Sequence, residues 1–472
     1  MGTTRRSLII GGGALAVGVG AVGAAGLAGR RIWLDRDPAA LPAVDRSGHL
    51  LWQNWAATEH AYPATRLAPH SADEAAQMLR QARGPVRMVG ASHSFTGLVT
   101  TDTTLISLDG MTGVLGHDPA TCEASVAAGT RLFDLGPALA RIGQDMPNLP
   151  DINKQSLAGG TQTSTHGTGG GLTAVHGGIV AFDIATPRGD VIECSATSNA
   201  DVFNAARVGL GAFGVMTRFT LRNHPLQRVK KVTAMRHRDE LMDGWDDLVR
   251  RHRNVEFYII PFSHYGQVIT HDPTDEAVRP RGPDTDTDGQ MKLKQVRDLF
   301  EFAAPLRFAT LDRVVADMPD QIAIDEGWKL LSNERSVRNR EIEYHLPRET
   351  QIAALREVVD AIERHRSDVF IPVEVRAIAP DDAWLSPFYR RASGSIAVHA
   401  YYKDDYAFFY TLIEPILRRH GGRPHWGKLN SLKYDDFAAL YPRWKDALAV
   451  REALDPEGKL LNPYLATVLR RG

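Results

Sequence analysis

Between Gly159 and Gly178 the chain places eight glycines among small hydroxyl residues and two histidines. That density is far too high for a packed helix or strand, because glycine loses the most backbone entropy on ordering and adds no side chain to a core. Glycine-rich backbone is useful where the chain must lie close against something else, so the stretch reads as a wall for a ligand. The rival reading is a flexible surface linker. Leu157, Leu172, Val175 and the density of threonines weigh against it.

Conventional elements are predicted on both sides. Residues 71–83 have a helical apolar period opened by a Ser71-x-x-Glu74 capping box. Residues 85–90 read as a strand ending in a turn, 104–108 and 123–128 as strands, and 132–142 as a helix. Past about residue 226 the texture changes. Strand-like runs at 255–261, 341–346, 370–378 and 395–402 alternate with amphipathic helices such as 349–366. Residues 273–291, rich in Pro, Asp and Gly, are expected to be a loop or a partly disordered insertion. Residues 454–465 return to turn-like texture. The expectation is an α+β chain without internal repeats, with domains at 46–225 and 226–450 and a C-terminal segment, 451–472, returning to the first.

Composition narrows the function. Lys and Arg total 55 against 56 Asp and Glu, so no global positive field exists to hold nucleic acid. Two cysteines, Cys122 and Cys194, exclude a disulfide scaffold, a CxxC zinc module and a cysteine-ligated cluster. At the start of the chain, Arg5-Arg6 precede a charge-free run over 7–29 that holds eight glycines and ends at Arg30-Arg31. This is similar to a twin-arginine export signal. The run is long enough to span a bilayer but makes a poor permanent membrane helix, so removal is favoured over retention as an anchor. Without residues 1–31 the chain loses four arginines and no acids and carries −5. A periplasmic or extracellular protein is expected, membrane-associated only if the segment stays. The Leu-Ile-Ile-Gly-Gly-Gly stretch imitates a dinucleotide loop, yet the run that follows it has no polar face and so makes no amphipathic helix.

Five segments could carry chemistry. In Gly90-Ala91-Ser92-His93-Ser94-Phe95, a strand runs into a small-residue turn whose amides could approach an anion. The stretch 157–169 offers glycines and hydroxyls along an extended cofactor but lacks the Gly-Lys-Ser/Thr of a nucleoside-triphosphate loop. Residues 209–214 spell GxGxxG, but in the order helix-turn-strand, the reverse of a Rossmann loop; a tight connection near a ligand remains. Glu374 and Arg376 share one face of a strand and could hold and polarise a substrate hydroxyl. The alternative is a surface ion pair, which the apolar flanks oppose. His425-Trp426-Gly427-Lys428 could wall a site and supply a base. A metal site using His166 and His176 lacks regular spacing and nearby carboxylates, so no metal is expected.

In this order the segments resemble the vanillyl-alcohol-oxidase-type flavoproteins, in particular the aldonolactone and alditol oxidases, over about residues 46–472. The closing Asp455-Pro456-Glu457-Gly458-Lys459-Leu460-Leu461-Asn462-Pro463 run belongs to the same likeness. The resemblance implies a two-domain fold, an FAD-binding domain of the PCMH type with an α+β cap. It implies FAD bound covalently through His93, and it places 90–95, Ser156, Gly159, Thr163, Ser164, Thr165 and His166 along the cofactor. Val215 would lie near the adenine and Asp151 near the ring and substrate, and His425 is similar to a flavin-contacting histidine. Glu374, Arg376 and Lys428 match the substrate-side, catalytic positions. The implied reaction oxidises a CH–OH group of a sugar lactone or polyol, with hydride passing to flavin N5. Lys428 or a group it orients takes the hydroxyl proton, Arg376 stabilises the alkoxide, Glu374 holds a neighbouring hydroxyl, and oxygen is reduced to hydrogen peroxide. The rivals are a dehydrogenase that uses a quinone or cytochrome, and an exported sugar-binding protein with a decayed flavin site. The sequence departs from the family at Ser92, where glycine or arginine is more usual, and at Ser164, where glycine is. Neither cysteine is placed for a second flavin bond. Ala128-Gly129 falls where members differ in oxygen access.

Overall fold

The computed structural model describes residues 36–283 and 285–471. The paired-arginine segment 1–31 lies outside them. Among the described residues no helix is long and apolar enough to cross a membrane.

The chain is α+β, and its sheets follow sequence order. Thr65–Leu67, Thr104–Ser107 and Val86–Val89 form a small parallel sheet, with helix Ala72–Gln81 as a crossover. That helix is capped by Ser71, whose hydroxyl accepts from the Glu74 amide. A five-stranded antiparallel sheet uses strands from Val114 to Arg222. An eight-stranded antiparallel sheet uses only strands after residue 227. Its order is Gln321–Glu326, Arg228–His237, Tyr265–Pro273, Asn254–Ile259, Val373–Ile378, Ser393–Tyr401, Asn339–Pro347, Arg423–Pro424.

The register of this large sheet decides where the chemistry goes. Glu256 pairs with Arg376, Tyr258 with Glu374, Arg376 with Ser395, His399 with Glu341 and His345 with Ser395. Residues opposite one another in an antiparallel pair share a face. One face is therefore polar yet buried. The other carries Val255, Phe257, Ile259, Val375, Val398 and Tyr344, all buried. It is covered by helix Gln351–His365, whose buried stripe includes Leu355, Val358 and Ile362, and by Trp245 against Phe257. A polar face inside a protein is costly unless its groups pair or meet a ligand.

The C-terminal stretch packs on the small parallel sheet. The Val86 amide donates to Lys459 O, Arg87 donates to Leu460 O, and the Asn462 amide group donates to Gly97 O and Thr100 O. Three expectations need correction. Helix Leu157–Gln162 forms inside the glycine stretch, because Ser156 caps it and its glycines permit close packing. Helix Asp286–Phe300 begins inside the expected loop, with Asp286 and Asp288 complementing the helix N-terminus. Asn462 and Pro463, in a run expected to be turns, instead start helix Pro463–Leu469, as a cap and a first-turn proline.

Candidate active site

Between the glycine-rich segments and the polar sheet face lies a cavity, lined from Gly90 and Gly159 on one side to Glu374 and Arg376 on the other.

The cofactor side is built from backbone. Gly90 follows strand Val86–Val89, and a Cβ there would stand 2.4 Å from Ser156 Oγ. That oxygen accepts from the Gly159 amide at 3.2 Å, so the 90–95 turn and the 157–162 helix touch through one hydroxyl. Ser92 and Ser164, the two departures from the family pattern, both adopt left-handed backbone, with φ of 58° and 64°. Glycine avoids strain there; these serines offset it with bonds. Ser92 Oγ accepts from Trp52 Nε1 at 3.1 Å, and its carbonyl accepts from the Trp55 amide at 2.8 Å. Ser164 Oγ lies 3.4 Å from His176 Nδ1, and His176 Nε2 lies 2.8 Å from Asp381. His93 stacks on Trp55 with ring centroids 5.4 Å apart. Burial, and then Lys428, Arg131 and Lys154, push its pKa down to about 4, so the imidazole is neutral at physiological pH.

The substrate side is built from side chains. Glu343 Oε1 receives three donors: Arg376 Nη2 at 2.6 Å, His166 Nε2 at 3.0 Å and the Ser395 hydroxyl. Burial opposes the Glu343 charge, but Arg376 and His166 outweigh it and hold the carboxyl well below its usual range. Burial likewise opposes the Arg376 charge, and Glu374 and Glu343 outweigh it and raise the guanidinium pKa. Glu374 lies 3.5 Å from Arg376 and accepts from the Tyr258 hydroxyl at 2.9 Å. Lys428 pairs with Glu341 and lies 4.9 Å above the Phe95 ring. Next to it, His425 Nδ1 accepts from the Gly427 amide at 3.0 Å, which leaves the proton of the neutral ring on Nε2. Burial keeps His425 well below its usual pKa. Asp151 faces Arg335, with Nε 2.5 Å from Oδ2.

The cavity thus gathers Gly90, Ala91, Ser92, His93, Ser94, Phe95, Asp151, Ser156, Gly159, Thr163, Thr165, His166, Glu374, Arg376, His425 and Lys428. Of the residues singled out from sequence, Ser164 and Val215 are turned into the core; Val215's neighbours Gly214 and Met216 border the cavity instead. The tight connection at 209–214 also borders it, through Leu210 and Gly211. His166 and His176 pair with different carboxylates, Glu343 and Asp381.

A family model described as D-arabinono-1,4-lactone oxidase matches residues 219–468, and one described as an FAD binding domain matches 63–195. The chain belongs to the D-arabinono-1,4-lactone oxidase family. Over 430 residues it is 33% identical to an L-gulono-1,4-lactone dehydrogenase of Mycobacterium tuberculosis, covering 89% of this chain and 99% of that one. It is 31% identical to the L-gulonolactone oxidase of Bos taurus, covering 88% and 98%. Among solved structures, a cholesterol oxidase of Brevibacterium sterolicum superposes with a TM-score of 0.72 over 92% of this chain and 100% of that one, at 14% identity. That likeness is one of fold, and it agrees with the two-domain FAD-binding architecture expected from the resemblance.

Within this family site, sequence reasoning missed Glu341, Glu343, His399, Tyr258 and Arg335. Four of them left a signal. Glu341-x-Glu343, Tyr258 and His399 place polar side chains at alternate positions of strands that are otherwise apolar enough to be buried. Arg335 sits in an irregular loop and left none.

Proposed function

We propose that this protein is an FAD-dependent oxidoreductase that oxidises a CH–OH group of a sugar-derived lactone. One observation carries the reading. In a chain of this family, a glycine-walled cavity joins a neutral, stacked histidine to a buried Glu374–Arg376 pair. The cavity fits the cofactor: its wall at 90–95 and 156–165 is mostly glycine, serine and threonine, which a long cofactor can approach closely, and Gly90 is packed so tightly on Ser156 that it has no room for a Cβ. When bound there, FAD supplies a two-electron acceptor for the hydride from the carbinol carbon.

The chain's own groups do the rest. Gly90 to Phe95, Ser156, Gly159, Thr163 and Thr165 wall the cofactor. His93, kept neutral, retains a nitrogen lone pair for a covalent bond to FAD. Arg376 donates to the substrate oxygen as it gains negative charge, and Glu343 and Glu374 fix its guanidinium. Glu374 accepts from a neighbouring hydroxyl. Lys428, paired with Glu341, stands where the hydroxyl proton leaves, and the carboxylate is the group it orients.

Oxygen is proposed as the acceptor, giving hydrogen peroxide. The similarity to a mycobacterial dehydrogenase favours a second reading in which another acceptor replaces oxygen. Export through the paired-arginine segment is proposed on its sequence alone.

The visible spectrum before and after acid precipitation tests the cofactor. A yellow pellet that turns white in His93→Ala is expected. A yellow supernatant over a white wild-type pellet would remove the covalent bond, and colourless protein would return the sugar-binding alternative.

A further inference from the structure

We infer that Arg335 and Asp151 form a clamp for the substrate's vicinal hydroxyls, on the part of the lactone beyond the reacting carbinol. This rests on the lactone reading above and adds a specificity determinant to it.

Arg335 reaches the cavity from the 331–338 loop. That loop is fastened beside Asp151 by several bonds. Ser332 Oγ donates to Pro150 O at 2.6 Å, and the Asn333 amide donates to Asp151 O at 2.7 Å. Asn333 Nδ2 donates to Asp151 Oδ1 at 2.7 Å, and Arg281 donates to Ser332 O at 2.9 Å. The Arg335 guanidinium lies 4.9 Å over the Tyr258 ring, with Nε against Asp151. Both side chains line the cavity, and among the described residues Arg335 Nε is buried with no hydrogen-bond partner, although it lies 2.5 Å from Asp151 Oδ2.

The pairing selects a ligand chemistry. An arginine alone in a cavity attracts an anion. Beside Asp151 its charge is balanced, and the two together offer fixed donors next to a fixed acceptor. Adjacent hydroxyls match that set, one accepting from the guanidinium and the other donating to the carboxylate. Tyr258, under Arg335, pairs with Glu374 on the adjacent strand, ~4.8 Å away, and donates to it at 2.9 Å. One strand spacing is within the reach of a small lactone, so the clamp addresses hydroxyls next along a substrate whose carbinol sits at Glu374 and Arg376.

Two lactones named among the relatives separate the possibilities. L-gulono-1,4-lactone carries an exocyclic vicinal diol, whereas D-arabinono-1,4-lactone ends in a single hydroxymethyl. The measurement is the ratio of kcat/KM for the first over the second in wild type, Arg335→Ala, Arg335→Lys and Asp151→Asn. Flavin content and melting temperature are read alongside. We expect the ratio to fall about tenfold or more in Arg335→Ala and Asp151→Asn, the size of one charged hydrogen bond. The change should appear in KM, and Arg335→Lys should recover part of it. A ratio within about twofold of wild type in folded variants overturns the clamp. So does loss of bound flavin from Arg335→Ala or Arg335→Lys, which would assign the arginine to the cofactor. Wild-type protein that oxidises neither lactone overturns the lactone reading itself.

Discussion

Glu256 is a carboxyl that the polar sheet face holds protonated. Burial, and then the charges of Asp151 and Glu374, push its pKa up from 4.5 to about 8. Below about pH 4.5 folded and unfolded chains both carry the proton, and the residue costs nothing. Between there and about pH 8 the unfolded chain releases a proton that the folded chain keeps, and folding loses about 1.4 kcal/mol per pH unit. Glu256→Gln keeps the shape without that cost. Its gain in melting temperature over wild type should therefore grow from about pH 5 to about pH 8 and then level off. A pH-independent difference would show the carboxyl to be ionised throughout. Glu343 is the opposite case, an ionised carboxylate whose one oxygen gathers Arg376, His166 and Ser395. Glu343→Gln should lower kcat/KM on the order of 10²-fold by freeing the guanidinium, with the loss mainly in kcat. An unchanged kcat would deny Glu343 that role. At this scale the sequence was partly legible. Glu374 and Arg376 announced themselves as charges two apart in an apolar strand. Glu343 left only its alternation with Glu341 in an apolar strand and Arg335 left nothing, because their partners come from sheet pairing and from a segment more than 180 residues away in sequence.

Elements act here through close approach. The 90–95 turn and the Leu157–Gln162 helix meet at Ser156 Oγ, which leaves no room for a Cβ at Gly90. Gly90→Ala should displace that hydroxyl, uncap the helix and reduce flavin per chain. Gly116→Ala, where a Cβ meets nothing within 4 Å, should retain it. Flavin absorbance relative to protein absorbance measures both, and equal flavin in the two variants would contradict the cradle. The glycine density marked this region correctly as ligand-facing backbone. It hid the short helix, because intrinsic propensity disfavours helix at Gly159 and Gly160, and only the Ser156 cap and tertiary packing stabilise it. Helix Asp286–Phe300 was hidden for a related reason. Its first turn is acidic and poor in apolar residues, so periodicity appears only further along.

The whole molecule places an apolar sheet face on its covering helices and a polar face on the cavity. The charges of the polar face are paired: Asp151 with Arg335, Glu343 and Glu374 with Arg376, Glu341 with Lys428. Four carboxylates against three cations leave one negative charge, which disfavours an anion and suits a neutral lactone. In this reading the cavity passes electrons from a lactone carbinol to bound FAD. The decisive experiment mixes the purified protein with an aldonolactone under anaerobic conditions and follows the visible flavin absorption in time. The band should bleach, then return when air is admitted, with hydrogen peroxide formed. A return only with an added quinone or cytochrome would change the acceptor and leave the chemistry intact. A band that no aldonolactone or polyol bleaches would rule the electron transfer out.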